Sequence, residues 1–251
     1  MNRFEKIEAK LSNNEKVMIM LVGDSITWGE NHCSCEETFC AVLARMFAKR
    51  FPKATVLRYD GVVEGGAMPM KYFNGPFEVQ KGTLGTITFV RNGVGGDTVK
   101  RALNRSTDYT GAFITGEYPD FFINMFGIND ALNNDPSKYV LPDVFYNHLK
   151  ILVHLIRITN PTAEQILITP TYNDSGKTAT SCLDAYSDKV LLLANEEGLT
   201  CIDAHAVWMN HMVIGAENYG QQDWFSNVVG DSCHLSPKGS SVLAELIYNN
   251  F

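Results

Sequence analysis

Val17-Met18-Ile19-Met20-Leu21-Val22 is an unbroken apolar run closed by Gly23. A strand with one face in water alternates apolar with polar residues. A run without polar interruption needs apolar cover on both faces, the condition of a strand inside a parallel sheet. The neighbouring segment has a different period: from Thr38 to Phe51, residues Phe39, Val42, Leu43, Met46 and Phe47 fall on one helical face. The rhythm then repeats. Thr55–Arg58, Thr86–Val90, Phe121–Phe126, Ile166–Thr169 and Thr200–Ile202 have strand length and composition, whereas Val144–Ile158 and Leu183–Ala194 have helical period. On the first of these helices Leu149, Leu152, Val153 and Ile156 form the inner stripe. A last helix starts at Ser236, which can cap free amides, with Pro237 in the first turn. Strands joined by helices favour an open parallel sheet between two helical layers, and five strands are expected.

The stretch Gly61–Gly85 breaks the rhythm and is rich in glycine. It is expected to be an insertion folding over one edge, partly as a hairpin. With 251 residues and 45% hydrophobic content, the chain is expected to form one domain from 1 to 251. The net charge of -7, with Lys and Arg scattered, argues against a nucleic-acid partner. Met1–Lys16 is polar, and the first apolar run is too short for a signal-peptide core or a membrane span. The chain therefore reads as cytoplasmic, without stable membrane association. The pattern says nothing of oligomeric state. Six cysteines read as small core residues or loop thiols, because a chain of this size needs no disulfide staples.

In open parallel sheets, ligands bind beyond the carboxyl ends of the strands. Three polar segments sit at such ends. Gly23-Asp24-Ser25-Ile26-Thr27 puts a serine where a buried strand stops, and a serine attacks an acyl carbonyl only if a neighbouring base takes its proton. His234 is the best base, in Gly230-Asp231-Ser232-Cys233-His234 before the last helix. Asp231 can fold back onto the imidazole and fix its tautomer. Phe126-Gly127-Ile128-Asn129-Asp130 ends another strand with an amide side chain able to meet an oxyanion. Asn92-Gly93-Val94-Gly95-Gly96-Asp97-Thr98 offers bare backbone amides at a third end. Oxyanion donors of this kind are worth about 3–4 kcal/mol of barrier each.

As a set, these segments resemble the four blocks of the GDSL, or SGNH, hydrolase superfamily of esterases and lipases. The resemblance spans residues 23 to 234 and implies a three-layer α/β/α, flavodoxin-like fold. It implies Ser25 as nucleophile, with Asp231 and His234 completing a catalytic triad. The oxyanion hole would be the amides of Ser25 and Gly96 and the side chain of Asn129. Gly96 is preferred to Gly95 because Asp97-Thr98 continues the family block in register. The general α/β-hydrolase elbow G-x-S-x-G is not present, since Thr27 stands where it needs glycine. The activity implied is hydrolysis of a small-molecule carboxylic ester through an acyl-serine, with no cofactor and no metal. A carbohydrate O-acetyl ester is the leading substrate; a lysophospholipase- or thioesterase-like acyl hydrolase and a non-catalytic binding protein on the same fold are the alternatives.

Other polar residues have simpler readings. Asp24 and Asp130 are expected to brace loops; His148 and His154 to lie on a helix surface or pack; His205 and His211 to play no part. Trp28, Tyr172, Trp224 and Phe225 fall near predicted crevice loops, where pocket lining and plain packing are both open. His32-Cys33-Ser34-Cys35 and Cys233-His234 hold zinc-ligand types, but the cysteine spacing is tighter than C-x-x-C and has no matching pair.

Overall fold

The Val17–Val22 run becomes the middle of β1 (Lys16–Gly23), with every residue from Val17 onward buried. In the computed structural model, which describes residues 2–29, 34–62, 72–105, 118–132, 135–172, 180–215, 224 and 233–251, it is the central strand of the sheet. On one side it pairs with β4 (Leu84–Gly93), which pairs in turn with β2 (Ala54–Val62), flanked by β3 (Tyr72–Gln80). On the other side follow β5 (Phe121–Met125), β6 (Glu164–Ile168) and β7 (Thr200–Ile202). All pairings are parallel except β2 with β3.

The sheet thus has seven strands among the described residues, not five. Each of the six strand-like segments is a strand, and the Gly61–Gly85 stretch supplies the seventh as antiparallel edge strand β3. In the fold, Gly75 and Pro76 lie between the pairs Arg58 with Phe77 and Asp60 with Asn74, a bulge on an edge strand where a missing N–H is tolerated. Residues 63–71 of that stretch lie outside the described residues.

Helices cover both faces. On one lie α1 (Arg3–Ser12), α3 (Phe39–Arg50) and α8 (Pro237–Tyr248), joined by an aromatic cluster. Phe4 of α1 has ring centroids 5.5 Å from Phe47 and 5.0 Å from Tyr248, and Phe47 meets Phe89 of β4 edge-on at 5.2 Å. Such pairs contribute about 0.5–1.5 kcal/mol each beyond their buried area. On the other face α4 (Val99–Asn104), α5 (Pro142–Thr159) and α6 (Thr180–Glu197) pack in sequence. α5 buries Leu149, Leu152, Val153 and Ile156, as its period predicts, and adds Phe145, which meets Tyr186 of α6 at 5.2 Å. The short α2 (Ser25–Trp28) follows β1, and α7 (Ala204–Gly215) follows β7. The architecture is the expected three-layer α/β/α. Among the described residues no helix is long and apolar enough to cross a membrane.

Candidate active site

Sheet register brings the three strand-end segments together. Gly23, the last residue of β1, pairs with Gly93 of β4 on one side and with Met125 of β5 on the other. The chain therefore leaves three adjacent strands at one level. Two close approaches then seat the first segment. A methyl group on Gly23 would stand 2.2 Å from Thr27 Oγ1 and 2.5 Å from the Met125 carbonyl oxygen. One on Gly93 would stand 2.2 Å from the Trp28 amide nitrogen. Only glycine at both positions lets the turn from 24 to 28 rest on the sheet end. Asp24 caps that turn by accepting the Ile26 amide at 3.0 Å. Ser25 opens it and is 7% exposed.

His234 enters between buried Cys233 and Leu235. Just beyond, Ser236 accepts the Gly239 amide at 3.1 Å and Pro237 occupies the first turn of α8, so the helix start anchors the histidine. Its Nε2 lies 2.8 Å from Ser25 Oγ. With the ring proton on Nδ1, the hydroxyl donates to Nε2, the arrangement in which an imidazole can receive that proton as the oxygen attacks. Asp231, expected to orient the ring, lies outside the described residues.

Asn129 stands in the turn after β5, 6% exposed, and its Nδ2 has no acceptor among the described residues. A buried donor left unpaired costs about 1–3 kcal/mol, a cost that recurs where a donor is reserved for charge that develops only during reaction. Tyr186 of α6 fixes this turn, its hydroxyl reaching the Asp130 carbonyl at 3.3 Å and also donating to the Val140 carbonyl. Of the two adjacent glycines after β4, Gly96 takes the left-handed conformation, with φ 69°. Arg101 Nη1 donates to its carbonyl at 3.3 Å.

Beneath these residues lie three buried carboxyl groups, Asp24, Asp97 and Asp130. Burial raises Asp24 to about 7, against the Ile26 amide and the nearby His234, with Asp97 adding to the rise. Burial also raises Asp97 to about 6, although Arg105 pairs with it and pulls the other way. Asp130 is pushed well above the usual carboxylate range, first by burial; the Val99 amide opposes this, and Asp24 and Asp97 reinforce it. Asp24 and Asp130 brace loops as expected, Asp130 by accepting the Val99 amide at 3.2 Å. Sequence reasoning missed Asp97 and Arg105 as a pair. It also missed an ionic network behind Trp28. Buried Arg58 and Arg91 share Asp60 at 3.2 and 3.0 Å, and Arg91 also donates to the Trp28 carbonyl.

Three other histidines lie in separate contacts. His154 pairs with Glu197 at 2.9 Å, buried His205 lies between Asp184 and the Thr171 carbonyl, and His211 stacks on Trp224. Tyr172 is buried, Trp28 and Trp224 are half-buried, and Phe225, His32 and Cys33 lie outside the described residues. Among the described residues no cluster of three or more His, Cys, Asp or Glu is placed to hold a metal ion.

No curated protein matches the sequence. Solved structures do match. A lipase/acylhydrolase from Enterococcus faecalis superposes with a TM-score of 0.63 at 22% identity, over 93% of this chain and 94% of that one. The acetyl xylan esterase AlAXEase gives 0.63 at 15% identity, over 93% and 98%. Axe2, an acetylxylan esterase from Geobacillus stearothermophilus, gives 0.60 at 19% identity, over 93% of each chain. At such identities the likeness is one of fold. The profile of the GDSL-like lipase/acylhydrolase family matches residues 19–247, nearly the whole chain. The chain belongs to the GDSL-like lipase/acylhydrolase family, and its enzymatic class is carboxylic ester hydrolase.

Proposed function

We propose that the enzyme hydrolyses short-chain carboxylic esters, with an O-acetyl ester of a carbohydrate as substrate, through an acyl group carried on Ser25. The observation that carries this reading is the 2.8 Å contact between His234 Nε2 and Ser25 Oγ. As Oγ bonds to the ester carbonyl carbon, its proton passes to Nε2, and the carbonyl oxygen becomes an oxyanion. The amides of Ser25 and Gly96 and the side chain of Asn129 hold that oxyanion. Asp231 keeps the Nδ1 proton in place and stabilises the imidazolium. The imidazolium then gives its proton to the departing alcohol as the carbon–oxygen bond breaks. Water attacks the acyl-serine with His234 again as base, releasing the acid and restoring the hydroxyl. The buried Asn129 Nδ2, without an acceptor among the described residues, supports the oxyanion assignment. The acetyl preference draws support from fold neighbours that are acetylxylan esterases.

A panel of p-nitrophenyl esters from acetate to palmitate, together with acetylated xylose, tests the reading. Wild type should favour acetate, and Ser25→Ala should lose turnover and labelling by a fluorophosphonate. Activity rising with chain length would point to a lysophospholipase-like enzyme. Wild type that neither turns over any ester nor takes the label would defeat the proposal.

A further inference from the structure

Lys138 is a cation at the candidate site that the reaction scheme above does not use. The turn that follows Asn129 carries it there: the Lys138 and Tyr139 amides donate to the Asp135 carbonyl at 3.0 and 2.9 Å. From that turn the side chain reaches over Gly96. A methyl group built on Gly96 would stand 3.3 Å from the Lys138 ammonium and 3.7 Å from its Cε. The charge thus lies over the α-carbon of the residue whose amide is assigned to the oxyanion. Arg101 approaches the same glycine from α4, on its carbonyl.

Among the described residues one acid pairs with this charge, and the pairing is loose. The acid paired with Lys138 is Asp135, 3.6 Å away, with the two side chains 23% and 35% exposed. A pair of that length and exposure contributes at most about 1 kcal/mol. Asp135 is also engaged elsewhere, since its Oδ1 accepts the Ser137 amide at 3.0 Å and the Ser137 hydroxyl at 2.6 Å. Among the described residues the Lys138 ammonium thus pairs with one carboxylate, itself partly committed, while the buried Asp97 next to Gly96 is taken by Arg105. The ammonium faces the open α-carbon side of the glycine and remains partly in solvent. From there it can meet a group on the substrate beside the ester, and a point charge on a flexible stem suits an anion of loose geometry.

We propose that Lys138 is a specificity-determining residue that binds a carboxylate carried by the substrate next to its ester. The preferred substrate would then be an acylated acid, such as an O-acetylated sugar bearing a carboxylate, rather than a neutral ester. This inference rests on the Ser25 ester-hydrolase reading.

The test compares 3-acetoxybenzoate with its methyl ester, which share the acetyl group and the aryl leaving group and differ in charge. After correction for their hydroxide-catalysed rates, wild type should show kcat/KM about 10-fold higher on the anion, equivalent to about 1.4 kcal/mol. Added NaCl should shrink that ratio. In Lys138→Gln the ratio should fall to near one, and in Lys138→Arg it should stay close to wild type. Because it is a ratio, any loss common to both esters cancels. A wild-type ratio near one, or one unchanged in Lys138→Gln, would overturn the inference while leaving ester hydrolysis intact. Failure of wild type on both esters, with no fluorophosphonate label on Ser25, would take down the ester-hydrolase reading and this inference with it.

Discussion

Replacing Asp24 with Asn should make the protein more stable in alkali and leave it unchanged in acid. Burial holds the Asp24 carboxyl at about 7 instead of the ordinary 3.8. Between those values the folded chain keeps a proton that the unfolded chain has released, so the native state loses stability as pH rises through this window. The shift of about 3 units corresponds to about 4 kcal/mol at most, reached above pH 7. His234 opposes the rise and Asp97 adds to it, so the group does not titrate alone. A gain of about 2–4 kcal/mol at pH 8.5 is a reasonable range for the variant. Asn retains an oxygen to accept the Ile26 amide, and asparagine is as good a cap as aspartate. Its NH2 group takes the place of the acid O–H. Urea melts of wild type and Asp24→Asn from pH 4 to 9 supply the check. The curves should coincide near pH 4 and separate steadily towards pH 8. If they run parallel, or if the variant is the weaker at pH 8.5, the carboxyl is ionised and stabilising, and the account of burial is wrong.

Asn129→Ala should lower kcat about 100- to 1000-fold with little change in KM on p-nitrophenyl acetate, the signature of a donor used in the transition state. Gly93→Ala would put a methyl group 2.2 Å from the Trp28 backbone nitrogen, which cannot yield as a side chain can. The turn bearing Ser25 should lift, with fluorophosphonate labelling slowed and stability reduced by about 1–3 kcal/mol in denaturant titration. Asp60→Ala would leave the buried Arg58 and Arg91 without their shared carboxylate. A loss of about 3–5 kcal/mol is expected, read as a lower urea midpoint with an unchanged slope.

Which elements the amino-acid pattern reveals follows from how each stabilises itself. The strands β1, β5 and β6 are covered on both faces and announce themselves as apolar runs, while α5 shows its inner stripe because one face alone is buried. The edge strand β3 needs apolar side chains less and tolerates Gly75-Pro76, so its residues resemble a loop. Helix α1 was legible in principle. Asn2 and Glu5 form a capping box, and Ile7 and Leu11 are its buried positions, yet the charged residues around them hide the stripe.

The candidate site divides in the same way. The three segments were visible at strand ends, because a polar cluster after an apolar run needs a reason; Lys138 and the buried carboxyls become visible only through long-range packing. Each of the three segments nonetheless carries an acid beside the residue assigned to the reaction: Asp24 by Ser25, Asp97 by Gly96, Asp130 by Asn129. Each acid is buried and accepts a backbone amide, Asp24 that of Ile26 and Asp97 that of Thr98 within their own turns, and Asp130 that of Val99 from the segment after β4. A buried carboxyl is costly in any arrangement that leaves it unpaired, so competing loop conformations that break these bonds are disfavoured. The carboxyls face inward and constrain the turns, and this leaves the Ser25 hydroxyl, the Gly96 turn and the Asn129 amide at one level beyond the strand ends. The stability given up to three crowded acids is thus the counterpart of the rigidity that the proposed oxyanion site would require.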